Sequence, residues 1–127
     1  MTEMVYFNKR FNKGVILEQG NKGGFNYWVL NLGTHPCCYV EIPKGHKYYN
    51  VGYDEINVNC HGGLTYSNSY LKGVTGDEPT DRWFIGWDYA HYGDFCGYYI
   101  ELSIRNQEHR YTTKELVRDC LEVIEQL

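Results

Sequence analysis

Four residues of this chain have the types and spacing for proton or metal chemistry: His61, Asp88, His91 and Asp94. They lie in two segments where a hydrophobic run breaks off into histidine, aspartate and glycine. One is Cys60-His61-Gly62-Gly63-Leu64-Thr65-Tyr66. The other is Trp83-Phe84-Ile85-Gly86-Trp87-Asp88-Tyr89-Ala90-His91-Tyr92-Gly93-Asp94. Loops gather at element ends, and folds place binding and catalytic groups there. An imidazole beside a carboxylate titrates near neutrality and suits general acid–base work. The same donors suit a divalent metal such as zinc, manganese or iron; the sequence names neither a metal nor a cofactor. Asp88, His91 and Asp94 would share one face of a helical turn, but Gly93 and the flanking aromatics favour a loop. A structural role is the competing reading, with Asp88 capping the turn after its strand and His91 satisfying buried backbone groups.

Aromatic residues crowd the same regions: Tyr48, Tyr49, Tyr53, Tyr66, Trp87, Tyr89 and Tyr92. Rings of bases or sugars stack on such surfaces, which makes His46, Tyr66, Trp87 and Tyr92 the candidate ligand-binding residues. The bland alternative is a tyrosine-rich, half-buried sheet. No phosphate-binding glycine loop accompanies them. His61-Gly62-Gly63 is similar to the oxyanion-hole loop of some esterases, but no Gly-x-Ser-x-Gly partner is present, and a tight turn is the simpler reading. Cys60 adjoins His61, yet neighbours along a strand point to opposite faces, so Cys60 reads as core. Cys96 is the more open thiol, with no partner to activate it.

The elements that must position these groups follow from the rest of the chain. Its 127 residues, 43% hydrophobic and 22% charged, suit one soluble globular domain spanning 1–127. Thirteen tyrosines are the departure from average. A net charge of −4 without a basic run argues against nucleic-acid binding. No apolar run approaches the roughly 20 residues of a membrane span, so no membrane association is expected. The N-terminus lacks a signal-peptide core, which points to a cytoplasmic protein. Five cysteines, two of them adjacent and none in a Cys-x-x-Cys, form neither a disulfide framework nor a usual zinc pattern.

Periodicity predicts strands at 14–18, 25–32 and 38–42. Ile56, Val58 and Cys60 alternate with Glu55, Asn57 and Asn59, which predicts a half-buried strand with His61 on the polar face. Gly62-Gly63 supplies the turn, and 64–67 returns. Residues 43–53 and 72–81 read as loops. Trp83–Asp88 is the most apolar strand, with Trp83, Ile85 and Trp87 on one face and Phe84, Gly86 and Asp88 on the other. Gly86 there leaves room for a ligand or a neighbouring backbone. A further alternating run covers 98–105. Thr112-Thr113-Lys114-Glu115 is a capping box opening a helix, with Tyr111 and Leu116 as its staple and Val117, Cys120, Leu121 and Ile124 as its buried stripe, widened by Leu116, Val123 and Leu127. The expected fold is α+β: an antiparallel sheet of about six strands with the C-terminal helix on one face.

Gly45-His46, Tyr53-Asp54, His61–Tyr66, Trp83–Asp94 and Tyr111 with Val117 together form a pattern. From Cys37 to the end the chain resembles an uncharacterised family of small intracellular proteins of bacteria and their phages. The resemblance implies a bacterial or phage setting and the site's location, and it implies no activity. The first 35 residues and 98–105 stand apart from it.

Two functions are consistent with these features. One is a His/Asp polar pocket that binds or processes a small ligand, with or without a metal. The other is a non-enzymatic phage accessory protein that binds a host protein or sequesters a signalling nucleotide. Whether the chain is an enzyme, and its oligomeric state, are not written in these residues.

Overall fold

The computed structural model describes residues 15–31, 35–89 and 112–127. Alternating aromatic and β-branched segments build an open antiparallel sheet of five strands, and one C-terminal helix packs against it. The strands are β1 (Val15–Lys22), β2 (Phe25–Asn31), β3 (Pro36–Ile42), β4 (Tyr66–Asn68) and β5 (Trp83–Asp88), in the spatial order β1-β2-β3-β5-β4. Gly23 and Gly24 join β1 to β2 with φ of 59° and 93°. A two-residue hairpin turn with both φ positive matches the strand twist and strongly favours glycine. Pairing with β2 carries β1 to Lys22, beyond the expected end at Glu18. Polar Gln19 and Asn21 hide that continuation from an apolar pattern.

Both faces of the sheet are covered. On one, Val29, Cys38, Val40, Ile85, Trp87 and Tyr89 pack with Leu116, Cys120, Val123 and Ile124 of helix α1 (Thr113–Glu125). On the other, Trp28, Leu30, Cys37, Tyr39 and Phe84 pack with Leu71. Central β3 is therefore buried on both faces rather than the single one expected, as the central strand of a covered sheet must be. The two expected faces of β5 are observed, one in each core.

Three expectations are corrected. The alternating segment 55–60 is not a strand: after a 3-10 turn at Tyr53–Glu55 the backbone is extended at Ile56, and residues 56–60 form no ladder. Ile56 is buried and Val58 and Cys60 half-buried, while Asn57 and Asn59 are exposed. The alternation records one-sided burial in the core shared with α1, and a strand pattern cannot distinguish the two. The Gln126 side chain takes the partner strand's place: its Oε1 accepts from Asn59 N–H at 2.6 Å, and its Nε2 donates to Asn59 O at 2.8 Å. β4 consequently pairs with β5, not with 55–60. Among the described residues the sheet has five strands, against about six expected; the expected strand at 98–105 lies outside the described residues.

Second, of the two occupants expected above Gly86, the ligand is excluded, while a neighbouring backbone does approach, together with a side chain. A Cβ built there would overlap the Tyr39 ring and approach the Cys38 carbonyl oxygen to 2.8 Å. Tyr39 lies across from Gly86 in the β3–β5 register, and its ring fills the space. Third, the buried face of α1 is centred on Thr113, Leu116, Cys120, Val123 and Ile124, with Leu121 only half-buried. Leu121 follows Cys120 by roughly 100° around the helix, which carries it off the stripe. The capping box forms as expected: Glu115 N–H donates to Thr112 Oγ1 at 3.1 Å, and Thr112 N–H donates to Glu115 Oε1 at 2.9 Å. Tyr111 lies outside the described residues. Among those described, no helix is long and apolar enough to cross a membrane.

Candidate functional site

The two glycine-bearing motifs meet in space. Gly62 and Gly63 have φ of 71° and 85°, a left-handed backbone that other residues adopt only under strain. Gly63 N–H closes the turn on Cys60 O at 3.0 Å. Thr65 N–H then donates to Gly86 O at 2.9 Å, and Thr65 Oγ1 donates to Asp88 Oδ2 at 3.2 Å. Tyr66 follows as the first residue of β4, opposite Gly86. The turn thus returns His61 to the end of β5, where its ring lies parallel to that of Tyr89. The centroids are 4.6 Å apart, with 12° between the planes.

Tyr89 is a rigid support. It is fully buried, and its backbone N–H continues the β5 pairing by donating to Pro36 O at 3.1 Å. Its hydroxyl accepts from Trp87 Nε1 at 2.9 Å, receives the Cys38 thiol at 3.8 Å, and donates to Asp119 Oδ2 at 2.6 Å. Burial, reinforced by Cys38 and Asp119, raises the Tyr89 pKa far above its ordinary value, so the phenol stays neutral and holds its proton toward Asp119. Burial likewise raises Cys38.

His61 and Asp119 line one cleft of about 420 Å³ with Asn59, Cys60, Glu122 and Val123. One wall is the segment 59–61; the other is α1, and the Gln126–Asn59 clip ties the two together. Cys60 and His61 border the same cleft, because the turn interrupts the alternation that would have sent them to opposite faces. Burial pushes the Cys60 thiol up to about 11, so near neutral pH it is a protonated thiol and not a nucleophile. Cys37, Cys38, Cys60 and Cys120 are all free. Among the described residues, no group of three His, Cys, Asp or Glu side chains is arranged to hold a metal ion.

The remaining candidates are distributed differently. Asp88 and Tyr89 leave the end of β5 on opposite sheet faces, so Asp88 turns toward Thr65 while Tyr89 supports His61. Trp87 is fully buried and holds Tyr89 in place; it offers no surface to a ligand. Tyr66 belongs to the opposite face, edge-on to Tyr39 at 5.3 Å. His46 clamps its loop to the end of the helical segment: Nδ1 accepts from Tyr48 N–H at 3.1 Å, and Nε2 donates to Leu127 O at 3.1 Å. Its ring meets Phe25 edge-on at 5.6 Å. The structure therefore does not gather His46, Tyr66 and Trp87 into one site. His91, Tyr92, Asp94 and Cys96 lie outside the described residues.

The cleft also brings in Asn59, Asp119 and Glu122, which the sequence did not single out. The available signal was an acid at the border of the apolar helical stripe with a second acid three residues on, a spacing that places both on one side of the helix. Ordinary solvated helix faces show the same pattern, so only the packing partner distinguishes them. No protein-family model, curated protein or solved structure matches the chain.

Proposed function

We propose that this protein binds a small polar ligand in the His61 cleft, with the His61 ring as the group that contacts it. The observation that carries this reading is the His61 ring, held parallel on a fully buried tyrosine while lining a cleft with two carboxylates. A side chain fixed by a rigid support loses little freedom when a ligand arrives. A volume of about 420 Å³ falls in the range of small-molecule pockets. His91 and Asp94, two and five residues after Tyr89, remain proposed partners of His61, and Asp88 acts through Thr65 by holding the turn. The resemblance to small bacterial and phage proteins supports an intracellular setting.

The host-protein reading is less favoured. Ile16 and Tyr53 are the exposed large hydrophobic residues among those described, and two separate side chains do not make a protein-binding patch. Sequestration of a nucleotide is disfavoured by Asp119 and Glu122, which would repel its phosphates.

The test is an NMR titration of the full chain with a diverse panel of small polar compounds, anionic, neutral and cationic. Saturable shifts at residues 59–61 and 119–123 are expected, with loss of binding in His61→Ala. If no compound perturbs these residues, or if the hits bind His61→Ala equally well, the reading fails.

A further inference from the structure

Resting on the cleft reading, we propose that its ligand is a flat, forked cation of the amidinium or guanidinium class, seated against the His61 ring with its N–H edge on Asp119 and Glu122. The described lining carries two carboxylates, one imidazole, one protonated thiol and one amide, and neither lysine nor arginine. These described residues carry net negative charge, which disfavours anions. Asp119 and Glu122 stand three residues apart on α1, so their side chains project from one side roughly 5–6 Å apart at Cβ. A planar cation with donors on several nitrogens bridges such a pair, whereas a compact ammonium bonds one carboxylate at a time.

Asp119 is already half committed. Oδ2 accepts from Tyr89, which fixes the carboxylate's orientation. Its other oxygen and the exposed Glu122 carboxylate supply the acceptors, and Val123 supplies an apolar contact. Flat cations stack on aromatic planes, and His61 with Tyr89 behind it is such a plane. A bare divalent metal fits less well, since no three ligating side chains converge among the described residues.

Three probes of one size and shape separate charge from shape: benzamidine, benzamide and benzoate. Each is titrated into the full chain by NMR. Benzamidine is expected to shift residues 59–61 and 119–123 saturably, at least tenfold more tightly than benzamide, with benzoate inert. Added salt should weaken the benzamidine response. Asp119→Asn disturbs the bond to Tyr89, so Glu122→Gln, on an exposed position, is the variant that keeps the fold. It should weaken benzamidine at least tenfold and leave benzamide unchanged. Equal binding of benzamide or benzoate overturns the cation assignment while leaving the cleft a ligand site. So does a Glu122→Gln variant that binds benzamidine as the wild type does. Silence toward benzamidine also overturns it, and the diverse panel then decides separately whether the cleft binds anything.

Discussion

Removing a single oxygen tests the support beneath His61. In Tyr89→Phe the ring that stacks on His61 stays, and the hydroxyl that joins Trp87, Cys38 and Asp119 goes. Trp87 is fully buried, so its indole N–H has no water to turn to. A stranded buried donor costs about 1–3 kcal/mol. Cys38 loses less, because its thiol also lies 3.7 Å from Leu116 O. Asp119 lines the open cleft and regains water, so it adds little. Losing the buried hydroxyl also relieves its own desolvation, which offsets part of the loss. The expected net destabilisation is about 2 kcal/mol, read as a lower urea midpoint at unchanged slope. The His61 ring protons should keep their ring-current shift in Tyr89→Phe and lose it in Tyr89→Leu. A Tyr89→Phe change below about 0.5 kcal/mol would refute the hydroxyl network as a stabilising unit, since surface-like substitutions fall within that range.

Further outcomes follow from the same packing. Leu116→Ala, at a fully buried position, should cost about 2–5 kcal/mol, and Leu121→Ala, at a half-buried one, clearly less; equal costs in urea melts would mean that the helix face is misassigned. Gln126→Ala removes both bonds to the Asn59 backbone, and amide hydrogen exchange at Asn59 should accelerate while exchange in β3 stays slow. Arg82, which bonds both Glu41 oxygens at 2.8 and 2.9 Å, holds the Glu41 carboxyl below its usual 4.5. A depressed folded-state pKa stabilises above the unfolded value and is lost as pH falls through the folded one. Glu41→Gln should therefore cost about 1 kcal/mol at neutral pH, screened by partial exposure, and the gap from wild type should close as pH drops below about 4.5. A gap constant down to strong acid would show that the ion pair is not its source.

Local chemistry is legible in this chain wherever one residue type permits only one conformation. Gly23-Gly24 and Gly62-Gly63 mark turns because only glycine adopts their φ cheaply. Thr112 and Glu115 mark a helix start because their side chains satisfy each other's backbone. The α+β class, the two faces of β5 and the tight turn at Gly62-Gly63 follow from such signals and from period 2.

What tertiary structure alone decided is which surfaces face one another. Alternation at 56–60 reports burial on one side and is silent about whether the cover is a strand or a helix, so a side chain from the C-terminal end, Gln126, could stand in for a β-ladder. The space above Gly86 was visible as a missing side chain, but its occupant, Tyr39, depends on the β3–β5 register. His61 was legible as a candidate, whereas Tyr89 came to it through the return of the turn to β5, and Asp119 and Glu122 through the docking of α1. Asp119 and Glu122 are 58 and 61 residues from His61 in the chain. Local spacing sets the conformation around each residue; contact between residues that far apart is set by how the two hydrophobic faces pack.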